Sequence, residues 1–144
     1  MTEFIQLFAT LVIGLFAGSL LMEGAILVPY WRRMAPDDFF RLHSTLGPHL
    51  FRYFAPLTVL AVGLSVVAAV AFGLANTFRL GAAGLCLAAL AIFFIYFRKA
   101  NASFADHSLK ADDLQTELNR WMSWHWIRTV MVIMAFGLSI AGYT

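Results

Sequence analysis

Long apolar stretches alternate with short polar connections along the whole chain. The apolar stretches cover residues 4–30, 50–74, 80–97 and 122–143. Each approaches or exceeds the roughly 20 residues that an α-helix needs to cross a bilayer. The pattern predicts an all-α, integral membrane four-helix bundle, formed by a single domain over residues 1–144.

The first and third connections are themselves partly apolar. Residues 36–46 open with Pro-Asp-Asp, a helix start, and form either an interfacial helix or the first turns of a second helix that bends at Pro48. In residues 100–120, Leu114 and Leu118 are spaced to lie on the membrane surface. The sequence predicts a short interfacial helix in each of these connections.

The composition indicates that the helices lie in a membrane, and it limits the kinds of binding partner to be expected. Hydrophobic residues make up 61% of the chain, charged residues 12%, and the mean hydropathy is +0.78, so membrane lipid is the predicted surrounding. A net charge of +2 gives no reason to expect nucleic acid as a partner. The single cysteine, Cys86, excludes an intramolecular disulfide. Glycine and alanine in the third helix would permit a homo-oligomer.

The basic residues predict an orientation. Nine of the ten flank the first and third connections, and only Arg79 flanks the second: the nine are Arg32, Arg33, Arg41, Arg52, Arg98, Lys99, Lys110, Arg120 and Arg128. Since cytoplasmic connections carry the excess of lysine and arginine, both termini are predicted to lie outside the cytoplasm. The compact plan without a targeting signal favours a bacterial inner membrane.

Polar side chains gather at the cytoplasmic side of this predicted bundle. On an α-helix, Trp121, His125 and Arg128 follow the i, i+4, i+7 spacing of one face, so an indole, an imidazole and a guanidinium project together. The full set on this side is Glu23, His43, His49, Asn101, Trp121, His125 and Arg128. Because ionisable groups within a membrane usually face the bundle interior, we predict a polar chamber here.

Each of these groups also has a purely structural interpretation. Glu23 and Arg128 could pair only to lock helix packing, or Arg128 could reach the lipid headgroups. The two histidines before the second span could face water at the interface. Trp124 and Trp126 are interpreted as aromatic anchors at the membrane edge.

The C-terminal third carries a resemblance to a known family. Asn101, then Arg120-Trp121, Trp124-His125 and Ile127-Arg128-Thr129 before an apolar last helix, resemble the small four-helix membrane family of uncharacterised domains that includes the anthrone oxygenases. The resemblance implies oxidation of a flat polycyclic phenolic substrate by molecular oxygen, with no established cofactor. It also implies a site that contains Asn101, Trp121, Trp124, His125 and Arg128. Where the family has Pro-Ile before the asparagine, this chain has Lys99-Ala100.

One chemistry that the residues permit is a metal site. Glu23, His43, His49 and His125 together would supply imidazole and carboxylate ligands. Such a set suits iron or copper first, and zinc or haem after them. The ligands come from separate helices without a local spacing motif, so this prediction depends on their convergence.

The other chemistry needs no cofactor. His125 would take a proton from an acidic C–H or phenol of a hydrophobic aromatic substrate, and Arg128 and Asn101 would stabilise the oxyanion. Trp121 would stack on the substrate, and the carbanion would react with oxygen directly. A different class of function stands beside both, in which a non-enzymatic protein binds a metal, a quinone or a lipid headgroup in the same chamber.

Overall fold

The computed structural model of the protein describes residues 2–73 and 75–143, which are mostly helical. The predicted end of the second span at Leu74 lies outside the described residues. In chain order the elements are α1 (Thr2–Met22), a first π-helical turn (Glu23–Leu27), α2 (Val28–Trp31), α3 (Pro36–Ala71), α4 (Thr77–Ile92), a second π-helical turn (Phe93–Phe97), α5 (Arg98–Ala105), a 3-10 turn (Ala111–Asp113) and α6 (Leu114–Ala141).

Joined end to end, these elements form four rods that are long and apolar enough to cross a membrane. The rods run over Glu3–Trp31, Pro36–Ala71, Thr77–Ala105 and Ala111–Ala141. Large apolar side chains such as Phe4, Val70, Ile95 and Met134 point outward along them, as expected of surface that lipid covers. The predicted all-α, integral membrane four-helix bundle is therefore confirmed.

The four rods pack as a ring in which each rod contacts two neighbours. α1 lies against α3 and α6, and α4 lies against the same two helices on the other side. Ile13, Phe16, Leu20, Cys86 and Val132 fill the space between them. This arrangement places the α2–α3 and α5–α6 connections together at one end, which we call the basic end. The α3–α4 connection, the start of α1 and the end of α6 lie at the other, which we call the termini end.

The interfacial helices predicted for the two long connections are instead extensions of the rods. Residues 36–46 form the first turns of α3, which continues through Pro48 and Pro56, so they belong to the second helix as the second interpretation expected. Leu114 and Leu118 are fully buried, and their predicted place on the membrane surface is wrong. They pack in the same apolar cluster as Phe104 at the end of α5, because the extended rods meet each other beyond the main apolar stretches.

Pro29 widens the first rod without ending it. In a regular α-helix the proline ring would clash with the carbonyl group four residues earlier, at Ala25. The turn Glu23–Leu27 is π-helical, which opens the backbone around that carbonyl, and α2 then continues to Trp31. Glu23 lies at the start of this widened turn.

Asn76 caps the start of α4. Its Oδ1 accepts a hydrogen bond from the Arg79 backbone N–H at 3.1 Å.

We expect Asn76→Ala to lower the free energy of unfolding by about 1 kcal/mol, the usual cost of a lost N-cap. Asn119→Ala makes the same change at an exposed position inside α6 and should not destabilise, because alanine is the better helix former. Detergent-driven unfolding in mixed micelles measures both, and equal losses would contradict the cap.

Candidate functional site

A cavity of about 660 Å³ lies toward the basic end, between α3 and the third rod. Buried residues of the first and fourth rods, including Glu23, Trp121 and Arg128, close its inner side. Its other walls are mainly apolar, and they include the aromatic rings of Phe54, Phe93, Phe97 and Phe104. A large apolar cavity with a few polar groups at one point is typical of a small-molecule binding site.

The polar inner end is built from a buried cluster that joins α6 to the first π-helical turn. Glu23 Oε2 lies 3.6 Å from His125 Nδ1 and 3.7 Å from an Arg128 guanidinium nitrogen. That guanidinium also lies over the Phe97 ring, 4.2 Å from its centroid. Only 4% of Glu23 and 9% of Arg128 is exposed, so the pair is held inside the bundle, and Arg128 does not extend to the headgroups.

His125 is locked in one orientation behind the cavity wall. Its Nε2 donates to the Leu20 carbonyl at 2.8 Å, because a carbonyl can only accept, and its Nδ1 accepts from Arg128 at 3.2 Å. The imidazole stacks on Trp121 with 5.0 Å between centroids and 9° between planes. His125 is fully buried and is not among the residues that line the cavity. Both ring nitrogens are therefore committed to protein groups.

Gly24 makes this placement possible. A Cβ atom at this position would lie 2.9 Å from His125 Cδ2 and 3.1 Å from Nε2, closer than side chains approach each other. The imidazole therefore packs directly on the backbone of the first π-helical turn. The sequence Glu23-Gly24 thus supplies both the carboxyl group of the cluster and the gap that admits its histidine.

Asn101 and Trp121 form the adjoining part of the lining. Trp121 Nε1 donates to Asn101 Oδ1 at 2.9 Å, which fixes the indole and the amide relative to each other. Since Oδ1 is used as the acceptor, the amide group that Asn101 can offer to the cavity is its Nδ2 donor. Trp31 and Phe97 hold the Trp121 ring edge-on, at centroid distances of 5.9 and 5.0 Å.

The cluster leaves hydrogen-bonding capacity unused at the cavity. Glu23 Oε2 and Arg128 Nε are both buried without a hydrogen-bond partner among the described residues. Both residues line the cavity. A buried polar atom without a partner is costly, so these atoms can be satisfied by a polar group of a bound molecule.

The predicted metal ligands do not converge. Glu23 and His125 meet, but His43 lines the cavity with its ring against Phe39 and Phe104, and His49 is exposed and outside the lining. Within residues 2–73 and 75–143, no three His, Cys, Asp or Glu side chains are grouped so that they could hold a metal. The four-ligand site expected from the sequence is corrected to a two-residue contact, because helix packing directs the two earlier histidines elsewhere.

Several residues of the site were not anticipated. Phe97 lies beneath the Arg128 guanidinium, Gly24 admits the imidazole, and the Leu20 carbonyl orients it. Pro29 was the one signal in the sequence that the helix would be irregular beside Glu23. Phe97 and the Leu20 carbonyl carried no such signal, since an apolar residue in an apolar stretch looks like any other.

The close contact at Gly24 can be tested by adding one methyl group. We expect Gly24→Ala to destabilise the protein by about 1–3 kcal/mol, the usual cost of overpacking a tight contact. Gly18→Ala is the control in the same helix, since a Cβ there meets nothing within 4 Å and alanine favours the helix. Unfolding in mixed micelles measures both variants. A Gly24→Ala protein as stable as Gly18→Ala would show that His125 does not pack where it is placed.

Comparison with known proteins adds no relative to this picture. The chain matches no protein-family model, no curated protein and no solved structure. The resemblance to the anthrone oxygenase family therefore stays a prediction from residues such as Asn101, Trp121 and His125. The functional proposal rests on the geometry of the cavity.

Proposed function

We propose that this protein is a membrane-embedded oxidase or oxygenase that acts on a hydrophobic, aromatic or phenolic molecule bound in the cavity. The observation that carries the proposal is an aromatic cavity with an incompletely satisfied Glu23–Arg128 pair at its inner end. The apolar walls favour a ring system, and the buried pair favours a ligand oxygen beside it. Together these two features favour a ligand with a flat ring system that bears a phenol or ketone oxygen.

The size and walls of the cavity support a polycyclic ligand. Its volume of about 660 Å³ lies in the middle of the range found for pockets of drug-sized molecules. Phe54, Phe93, Phe97 and Trp121 offer ring faces and edges to a flat ligand. Such a molecule would bury its rings among these side chains and place its oxygen near Arg128.

The mouth of the cavity supports a ligand that arrives from the lipid. Phe51, Val59 and Phe94 line the cavity and are 59%, 63% and 60% exposed. These residues lie in the membrane-crossing parts of α3 and the third rod, where the exposed surface faces acyl chains. A hydrophobic substrate can enter there without passing through water.

The arrangement supports Glu23, in place of the His125 predicted from the sequence, as the group that transfers the proton. Glu23 lines the cavity, and its Oε2 makes no hydrogen bond to the described residues, whereas both imidazole nitrogens of His125 are hydrogen-bonded behind the wall. Glu23 removes a proton from a C–H group activated by the neighbouring carbonyl or phenol. Arg128 and the Nδ2 group of Asn101 stabilise the oxyanion that forms, and His125 positions Arg128.

Oxygen then completes the reaction. The carbanion gives its electron pair to O₂, a C–O bond forms, and the resulting peroxide anion takes the proton back from Glu23 to give a hydroperoxide. Loss of water leaves a ketone, so that one CH₂ group and one O₂ give one C=O group and one water. The apolar walls keep bulk water away from the carbanion, which would otherwise be reprotonated.

A second candidate is a non-enzymatic protein that binds a quinone or a lipid headgroup. Ser44 and Arg98 line the cavity at the basic end and are exposed, which gives the apolar chamber a polar rim. A headgroup could rest on this rim with its acyl chains between Phe51 and Phe94. In this case the Glu23–Arg128 pair would bind the ligand without turnover.

We further propose that the basic end faces the cytoplasm of a bacterial cell, with the bundle in the inner membrane. Nine of the ten lysines and arginines flank the two connections at this end or lie in the half of the bundle next to it. The positive-inside rule then places both termini on the outer side. The inner end of the cavity would lie in the cytoplasmic half of the membrane.

Replacing the proposed base tests the oxidase. We expect Glu23→Gln to lower oxygen uptake with anthrone by about 10²–10⁴-fold, the usual contribution of a general base. Binding of anthrone should persist, because glutamine keeps the shape of the side chain. Asp112→Asn removes a carboxylate from an exposed position and should leave the rate unchanged. Oxygen-electrode and calorimetric measurements on detergent-purified protein give the two quantities.

Two outcomes would decide against the oxidase. Unchanged oxygen uptake in Glu23→Gln removes the carboxyl group from the reaction. If the unaltered protein consumes no oxygen with anthrone-like substrates but binds a quinone more weakly after Arg128→Gln, the non-enzymatic function replaces the proposal.

A further inference from the structure

A second and smaller pocket lies at the termini end, far from the cavity described above. Its volume is about 210 Å³, and it is lined by Glu3, Gln6, Phe72, Arg79 and Tyr143. These residues come from the ends of α1, α3, α4 and α6, which meet where the bundle reaches the membrane edge. The pocket is independent of the proposed oxidase site.

Gln6, which lines this pocket, has a side-chain carbonyl oxygen without a hydrogen-bond partner among the described residues. Its Nε2 donates to the Ser139 backbone carbonyl at 2.8 Å, which fixes the amide because that carbonyl can only accept. Thr10 Oγ1 donates to the Gln6 backbone carbonyl at 2.9 Å and lies 2.6 Å from Ser139 Oγ, which supports the arrangement. Gln6 is 1% exposed, and its Oε1 has no hydrogen-bond partner among the described residues. A bound molecule that carries an N–H or O–H bond can supply a donor to this oxygen.

Arg79 supplies the opposite chemistry. Its guanidinium carbon lies 3.6 Å from the centroid of the Phe72 ring, and its Cγ packs against Gly142, where a Cβ would come within 2.9 Å. Its Nε is buried without a hydrogen-bond partner in the part of the chain that the structure describes. A guanidinium held in this way offers a fixed donor to an anion.

The pocket therefore places the Arg79 cation beside two hydrogen-bond acceptors, Gln6 Oε1 and the Glu3 carboxylate. Arg79 requires an anionic acceptor, whereas Gln6 Oε1 and the Glu3 carboxylate require a group that carries N–H bonds and positive charge. We propose that the pocket binds the headgroup of an ethanolamine phospholipid, with the phosphate on Arg79 and the ammonium on Gln6 and Glu3. The exposed rings of Phe4 and Phe78 on the adjoining helix surfaces suit the acyl chains.

The chemistry of the acceptors favours the ethanolamine headgroup over the choline and glycerol headgroups. A choline headgroup has no N–H bond, so it cannot satisfy Gln6 Oε1. A glycerol headgroup has no positive charge to set against Glu3. Of these three headgroups, only ethanolamine carries a primary ammonium on a phosphate and so satisfies both sides of the pocket. The position at the ends of the helices matches the depth of headgroups in a bilayer.

The experiment is lipid retention measured by native mass spectrometry. Purified full-length protein is mixed with equal amounts of phosphatidylethanolamine, phosphatidylcholine and phosphatidylglycerol. We expect selective retention of the ethanolamine lipid, and a drop of about tenfold in Arg79→Gln, the factor that a lost hydrogen bond to a charged group corresponds to. Arg41→Gln is the control, an exposed arginine at the basic end that should leave retention unchanged.

Three results would overturn the proposal. Equal retention of the three lipids removes the headgroup selection, and an unchanged Arg79→Gln removes the site. Displacement of the lipid by free phosphoethanolamine at comparable concentration would assign the pocket to a soluble zwitterion. A thermal unfolding curve for Arg79→Gln that matches the unaltered protein ensures that any loss comes from the pocket. The assay contains no oxidisable substrate, so it is separate from the test of the oxidase.

Discussion

The buried contact among Glu23, His125 and Arg128 is the constraint on which the polar architecture of this protein depends. Charged groups that leave water inside a membrane bundle must be paired, since an isolated one is strongly destabilising. Glu23 belongs to the first rod, and His125 and Arg128 belong to the fourth. Their pairing therefore fixes the position of α6 along its own axis relative to the first π-helical turn. Gly24 lets the two elements approach closely enough for the pairing to form.

This contact also divides the polar residues into two roles. His125 is enclosed between Trp121, the Leu20 carbonyl and Arg128. Its two ring nitrogens are hydrogen-bonded to the Leu20 carbonyl and Arg128, which determine which nitrogen carries the proton. Glu23 and Arg128 extend past it to the cavity and keep unsatisfied atoms there. His125, a residue type common in catalysis, thus lies behind the cavity wall. Glu23, which could have served only to lock helix packing, lines the cavity.

The two ends of the bundle carry different chemistry for a common physical reason. At each end, helices converge on a pocket beside buried atoms that have no hydrogen-bond partner in the described part of the chain: Glu23 Oε2 and Arg128 Nε at one, Gln6 Oε1 and Arg79 Nε at the other. Lipid offers few hydrogen bonds, so such atoms are satisfied by bound molecules or trapped water. The basic end surrounds its pair with aromatic rings, which suits a flat hydrophobic ligand, whereas the termini end suits a zwitterionic lipid headgroup.

The sequence by itself determined the helices, their number and their membrane setting, because about 20 consecutive apolar residues have few other stable arrangements. It also indicated that Trp121, His125 and Arg128 share a face, since helix periodicity is local. It did not determine which of them reaches a cavity, nor that His43 and His49 stand apart from Glu23. Those outcomes depend on helix rotation and depth, which follow from side chains such as Phe97 meeting across helices distant in the chain. Tertiary packing alone decided that Glu23 faces the chamber and that His125 supports it from behind.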